Sequence, residues 1–240
     1  MSKESPERAM LQALLVTDGS VTRKGYQISF ANTSKELISK FCDLVYEVYG
    51  FSIPKKRIYV GRGTRQKIYI VQFRSKEICG DLIEDMDYST KRSFIPEYWS
   101  RLKDRDISAV LRNLFDADGG CSVRVVWLRK KNCFEIKREV FLACKNPLVR
   151  KQYRELLLRF EIKTGDSSEK VTITSKEGLS RFKKHVNFSK RVLIGYDSKH
   201  WQGLEKRKLL DLALKSYSIP CGEIQKRDNK RDIYEIVASF

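Results

Sequence analysis

The chain has 240 residues, 41% of them hydrophobic, enough for one large core or two ordinary ones and too many for a disordered chain. Its 48 Lys and Arg against 30 Asp and Glu leave a net charge of +18, which favours a polyanionic partner, nucleic acid first, over a small neutral substrate. A membrane is disfavoured, because no apolar run approaches the about eighteen residues a spanning helix needs and no basic amphipathic helix stands alone.

In chain order, a helix is predicted from Ser5-Pro6, where Ser caps and Pro suits the first turn, with Met10, Leu11, Leu14 and Leu15 on one face and a stop at Asp18-Gly19. SVTRKGYQISF alternates around Lys24-Gly25 and reads as a β-hairpin. TSKELISKFCDLVYEVYGF returns to helical spacing through Leu37, Phe41, Leu44, Val45 and Val48. RIYVGRGTRQKIYIVQF is a second hairpin with Gly61-Arg62-Gly63 at its turn, and SKEICGDLIEDM a third helix, so the order is αββαββα. The charged segment RLKDRD separates this half from a new helix that Asp106 or Ser108 can cap.

There the pattern restarts. ISAVLRNLFDADGG is helical to Asp118-Gly119, CSVRVVWLRKKNCFEIKREVFL is a long hairpin, and NPLVRKQYRELLLRF is helical. A short hairpin around Thr164-Gly165-Asp166 and the helix SKEGLSRFKKHVNF complete the second copy. Asp18 and Asp118 are 100 residues apart, as are Ser75-Lys76-Glu77 and Ser175-Lys176-Glu177, while Lys91-Arg92 recurs at Lys190-Arg191 after 99. Three ordered matches at nearly constant offset point to an internal duplication, with residues 1–103 and 104–240 as the two repeats and the tail from Tyr217 outside the repeat pattern.

The two helix ends are the chemically informative positions. Asp-Gly at a helix terminus sets a carboxylate at the negative end of the dipole, beside carbonyls that lack intrahelical partners, with Gly free to take the left-handed terminating conformation. Asp18 with the Thr17 carbonyl, and Asp118 with the Ala117 carbonyl, offer oxygen ligands of the kind Mg²⁺ prefers. A single Asp-Gly ends helices in many proteins. The same acid at the same place in both copies of a strongly basic chain is poorly explained by helix termination alone.

LQALLVTDG from Leu11 and LRNLFDADG from Leu111 resemble the signature of the LAGLIDADG homing endonucleases, the second copy more closely. The repeat order extends the resemblance to about residues 5–200. It implies an α+β fold of two pseudo-symmetric αββαββα repeats, whose β-hairpins form a DNA-binding saddle around two central motif helices. The implied activity is site-specific hydrolysis of both strands of a long asymmetric DNA target, dependent on Mg²⁺ with Mn²⁺ as a substitute, leaving short 3′ overhangs. Non-identical fused repeats imply one chain per target, hence a monomer. Against the signature, Val16 stands where Asp116 keeps the first acid, and Asn113 replaces a small residue at the helix crossing where Ala13 is harmless. The resemblance therefore implies an active enzyme with some asymmetry and a wider or hydrogen-bonded crossing.

Relatives carry an active-site lysine after the last helix of each repeat, and Lys91 and Lys190 lie at equivalent places, which implies a catalytic role; a basic loop touching phosphate is an equal reading of both. Asn32, ending the second strand, is a candidate polar neighbour of the first acid, with no clear counterpart near Ala143 or Cys144. Hairpin alternation makes Arg23, Lys24, Gln27, Ser29, Arg57, Tyr59, Arg62, Arg65, Lys67 and Tyr69 candidate DNA contacts in the first repeat, and Arg124, Arg129, Lys131 and Lys137 in the second. Most such residues touch phosphate rather than bases.

Six cysteines without a CxxC pair, and only His185 and His200, leave no zinc ligand set. MSKESPERAM has no apolar stretch of a secretory signal, so an intracellular location is expected, in an unspecified compartment. The alternatives to cleavage are an intron RNA maturase or a non-catalytic nucleic-acid-binding relative. A nucleotidyl transferase ranks far lower for want of a glycine-rich phosphate loop.

Overall fold

The computed structural model describes residues 4–62, 67–88, 94–196, 198–219, 224 and 229–240. Helix α1 (Pro6–Asp18) begins where Ser5 Oγ accepts from the Arg8 amide at 3.2 Å. It leads into β1 (Gly19–Thr22) and β2 (Gln27–Asn32), then α2 (Lys35–Tyr49), β3 (Ile58–Arg62), β4 (Lys67–Arg74) and α3 (Lys76–Asp85). The second copy runs α4 (Asp104–Ala117), β5 (Gly119–Leu128), β6 (Cys133–Ala143), α5 (Pro147–Leu158), β7 (Gly165–Asp166), β8 (Lys170–Ile173) and α6 (Lys176–His185). Each copy builds a four-stranded antiparallel sheet, ordered β1-β2-β4-β3 and β5-β6-β8-β7. The fold is thus the α+β arrangement of two αββαββα repeats that the sequence predicts.

The recurring Ser-Lys-Glu steps mark equivalent helix starts. Ser75 Oγ accepts from the Ile78 amide, and Ser175 Oγ from the Gly178 amide. Such caps are worth about 1 kcal/mol each.

Helix α1 serves two cores because its faces differ in size. Leu11, Leu14 and Leu15 are buried in the core of the first repeat with Ile28, Phe30, Phe41 and Phe73. Ala9 and Ala13 on the opposite side belong to the second core, with Val110, Leu111, Leu114 and Phe115 of α4. The small residues bring the two backbones close, and Asn113 Nδ2 donates to the Met10 carbonyl at 3.1 Å across the crossing. The crossing is hydrogen-bonded, as the larger Asn113 side chain suggested. Each fully buried leucine contributes about 1.5–3 kcal/mol.

Four local expectations need correction. Helix α4 starts at Asp104 with Lys103 as its cap, one turn earlier than Asp106 or Ser108; Ser108 Oγ instead donates to the His185 carbonyl. Gly61 and Arg62 belong to β3, paired with Ile68 and Lys67 of β4, while Gly63 lies outside the described residues. Gly165 and Asp166 form β7, and the turn follows at Ser167, whose Oγ accepts from the Lys170 amide at 3.2 Å.

The fourth concerns the glycines after the acids, which are not left-handed. Gly19 has φ −104° and ψ 172°, ordinary extended backbone. What requires glycine is proximity: a Cβ on Gly19 would lie 2.5 Å from Leu15 Cα, and one on Gly119 2.7 Å from both Cα and O of Phe115. The strand leaves the helix so abruptly that it rides over the last turn. Gly119→Ala is therefore expected to destabilise the fold by about 1–3 kcal/mol, as overpacking against unyielding backbone does. Urea unfolding measures this, and a loss below about 0.5 kcal/mol, ordinary for a surface substitution, contradicts it.

Beyond the second repeat, α7 (Lys206–Lys215) and α8 (Lys230–Ala238) pack against β5. Trp201 Nε1 donates to the Val123 carbonyl at 2.9 Å and the Val125 amide donates to Tyr234 Oη at 3.1 Å. Ile233 and Val237 complete the second core. The tail thus covers the helix-side face of the long β5-β6 hairpin, which extends past the helices of its own repeat.

Candidate active site and nucleic-acid interface

The crossing of α1 and α4 brings the two helix ends together, and with them Asp18 and Asp118. Asp18 Oδ2 accepts a 2.6 Å hydrogen bond from Asn32 Nδ2, since β2 returns antiparallel to β1 and ends beside the helix terminus. Burial raises the Asp18 pKa, against the opposing effects of this bond and of the Lys206 charge. Asp118 is pushed up to about 7, first by burial and then by the negative charge of Asp18, with Lys206 pulling it down. The two carboxylates therefore feel each other directly.

Thr17 and Ala117 precede the two acids at the helix ends. The Thr17 hydroxyl turns back to the Ala13 and Leu14 carbonyls at 3.0 and 2.9 Å, which leaves its own carbonyl at the helix end. Asp116 is buried; its Oδ1 accepts from the Ser189 amide at 3.0 Å, and Oδ2 has no hydrogen-bond partner. Its pKa is raised by burial, opposed by the Ser189 bonds and by the charges of Lys40 and Lys206.

Lys206, at the start of α7, was missed in the sequence. Its buried Nζ donates to the carbonyls of Asp116 at 2.7 Å, Gly119 at 2.6 Å and Phe115 at 3.3 Å. These satisfy its three donors and wrap the C-terminus of α4, where the helix dipole favours a cation. Burial pulls its pKa down to about 8 against the attraction of Asp116, Asp18 and Asp118. One signal was available: Lys206 stands in the apolar stripe of Leu209, Leu210 and Ala213, all buried. By contrast, Lys190 is exposed after α6, next to Ser189 whose amide holds Asp116. Lys91 lies outside the described residues.

For a cation, the centre supplies only oxygen: two carboxylates and the helix-end carbonyls of Thr17 and Ala117. Among the described residues no group of three or more His, Cys, Asp or Glu could hold a metal, so water and a phosphate oxygen would have to complete a coordination shell. A divalent ion would offset both the burial and the Asp18 repulsion that lift Asp118, so the donor set fits a hard cation.

The candidate DNA contacts divide by strand face. Gln27 and Ser29 point away from the helices, because their neighbours Ile28 and Phe30 enter the core. Arg23 and Lys24 are exposed in the turn, and Arg57 precedes β3. Tyr59 pairs with Ile70 on the open face and its hydroxyl donates to Gln72 at 2.9 Å. Tyr69, one residue away in register, lies on the opposite side with Val71 and Phe73, packed against the first core beneath the Lys35 ammonium at 5.3 Å. Tyr69 and Lys67 therefore do not share the face of Tyr59, because directly paired residues point the same way and the period is two. Arg65 and the Arg62 side chain lie outside the described residues. In the second repeat Arg124 and Lys137 pair on the open face, and exposed Arg129 and Lys131 lie at the hairpin end. Gln72, Arg74 and Lys170 also reach the open faces and were missed, although pairing β4 to β2 by alternation would have found the first two.

A cleft of about 960 Å³ opens beside Asn32, Asp116 and Lys206, walled by Lys35 and Tyr69 of the first repeat and by Arg191 and Lys199 of the segment leading to α7.

A family model described as a LAGLIDADG-like domain matches residues 5–81 and 106–187. Residues of the chain align at 26% identity, over 177 positions, with the replication factor C small subunit of Thermococcus kodakarensis, covering 73% of this chain. The chain spans about a fifth of the length of that protein, 19%. Among solved structures, full-length DUF199/WhiA from Thermatoga maritima superposes with a TM-score of 0.55 at 14% identity, covering 99% of this chain and 67% of that one. I-DmoI in complex with DNA and Mn has a TM-score of 0.46 at 14% identity, covering 77% and 97%.

Proposed function

The chain belongs to the LAGLIDADG-like domain family, and from that premise we propose that it is a divalent-metal-dependent endonuclease that cuts both strands of a long, asymmetric DNA duplex. The observation that carries this reading is the pair of buried carboxylates at the ends of crossing helices, where burial first and the neighbouring Asp18 charge second push Asp118 up to about 7. Their coming together at a pseudo-twofold crossing, one from each repeat, suits a duplex whose strands are related in the same way.

Asp18, Asp118 and the carbonyls of Thr17 and Ala117 would hold the ion. Bound there, Mg²⁺ or Mn²⁺ would supply charge for the developing phosphorane and lower the pKa of the attacking water. Asn32 orients Asp18 by donating from Nδ2 to one of its carboxylate oxygens. Lys206 holds the carbonyls on either side of Asp118, those of Asp116 and Gly119, in place. Lys190 and Lys91 are assigned to the phosphates of the bound strand. The open sheet faces carry Gln27, Ser29, Tyr59, Arg124 and Lys137 towards the grooves.

A second reading, binding without cleavage, is favoured by one observation: Lys206 already places an ammonium among three acids. That reading includes an intron RNA maturase. The two separate on a library of randomised duplexes and host genomic DNA, incubated with Mg²⁺, Mn²⁺ or EDTA, with product ends sequenced. Cleavage predicts discrete, metal-dependent ends with short 3′ overhangs. Retention of duplex or intron RNA with no new ends in either metal overturns it in favour of binding.

A further inference from the structure

The two open sheet faces are alike in register and unlike in chemistry. Counted from the Asp-Gly step, the fourth rung of the first sheet is Thr22 opposite Gln27, and that of the second is Ser122 opposite Glu139. One strand further, Ala31 opposite Ile70 corresponds to Ala143 opposite Lys170. Neutral Gln27 and Ile70 in the first repeat are thus charged Glu139 and Lys170 in the second.

The hairpins also differ in reach. Strand β1 ends at the fourth rung, whereas β5 and β6 continue for six more, from Val123 opposite Arg138 to Leu128 opposite Cys133. At roughly 3.4 Å per residue this adds about 20 Å of ribbon, or about six base pairs along a groove. The first residue of this extension on the open face is Arg124.

Arg124 is held before any ligand arrives. Its Nη2 donates to Glu139 Oε1 at 2.9 Å, and Lys170 Nζ donates to the same oxygen at 3.0 Å. The Glu139 side chain is 14% exposed and that of Arg124 58%. A carboxylate covered between two cations serves to orient them, while more than half of the arginine side chain stays exposed. An arginine fork fixed in the middle of a two-stranded ribbon matches the O6 and N7 acceptors of guanine in the major groove, where a lysine would act only as a point charge.

We propose that the DNA target is unequal by construction: the half under the second sheet is the longer, and it contains a guanine read by Arg124, with Glu139 and Lys170 as positioning residues. The half under the first sheet is read by the uncharged Gln27, Ser29 and Gln72. This rests on the duplex-DNA reading above but not on cleavage.

The test is binding selection from a duplex library of about 24 randomised base pairs, sized to span both ribbons, in EDTA so that cleavage plays no part, with wild type, Arg124→Ala and Glu139→Gln. Wild type is expected to select a lopsided site with a strong guanine on the longer arm. Arg124→Ala should lose that one preference, with affinity for the guanine-bearing site falling by about tenfold and other positions unchanged. Glu139→Gln should weaken the same position and no other. Equal loss across all sequences makes Arg124 a phosphate anchor and overturns the inference, as do arms of equal length. If wild type retains no duplex while holding structured RNA, both the inference and the DNA reading fall; if it selects a site but Arg124→Ala selects the same one, only the inference does.

Discussion

Asp118→Asn is expected to reduce double-strand cleavage by about a thousandfold or more, because charge stabilisation by a bound cation is worth several kcal/mol and each 1.36 kcal/mol is about tenfold in rate. Asp18→Asn should behave alike, and DNA affinity in EDTA should change little for either. Asparagine preserves volume and the Gly119 contact, so a folding defect is not the expected cause. Cleavage retained within about tenfold by either variant would remove that acid from the centre.

The same residue gives a pH signature. Asp118 is raised from its ordinary 3.8 to about 7, so the fold disfavours its ionised form. Its contribution to stability is complete below the unfolded value and is lost as pH rises through about 7. Lys206, lowered from 10.5 to about 8, contributes above 10.5 and loses that contribution as pH falls towards 8, a separate window. Without metal, the wild-type melting temperature should therefore fall between about pH 4 and 7, and Asp118→Asn should flatten the fall. Mg²⁺ should restore stability most at the alkaline end, where both acids are ionised and repel. A wild-type profile that is flat in EDTA contradicts the burial of Asp118 beside Asp18.

Lys206→Met is the second large effect. Methionine has a similar length but leaves the carbonyls of Phe115, Asp116 and Gly119 without this donor and removes its positive charge from beside Asp18, Asp116 and Asp118. Breaking such a buried arrangement is expected to cost about 3 kcal/mol, lowering the melting temperature by about 6–12 °C in a chain of this size. Lys206→Arg should not rescue it, since a planar fork cannot converge on three carbonyls as a tetrahedral ammonium does. A melting temperature within about 2 °C of wild type would mean that desolvation of the ammonium cancels its bonds.

Much of the site was legible because its signals are local. Helix α1 ends where the apolar spacing of Leu11, Leu14 and Leu15 gives way to Asp18-Gly19, and the second copy repeats this. Ser75 and Ser175 cap equivalent helices because a serine hydroxyl reaches an amide three residues on. Asn32 lies at the end of a strand whose hairpin returns it to Asp18.

The amino-acid sequence by itself determined the order of elements, the duplication and the equivalence of Asp18 and Asp118, since each is written in spacing along one chain; that the two acids meet follows from the packing of α1 on α4. The role of Gly19 and Gly119 needed coordinates, because the clash with Leu15 and Phe115 depends on the angle at which strand leaves helix. Tyr69 was placed on the wrong face because strand register is set by the partner strand and not by the residue. Lys206 lies 88 residues beyond Asp118, and only the packing of α7 on β5 carries its ammonium to the end of α4. Burial of a charge is a long-range decision, made by whichever carbonyls the fold delivers to meet it.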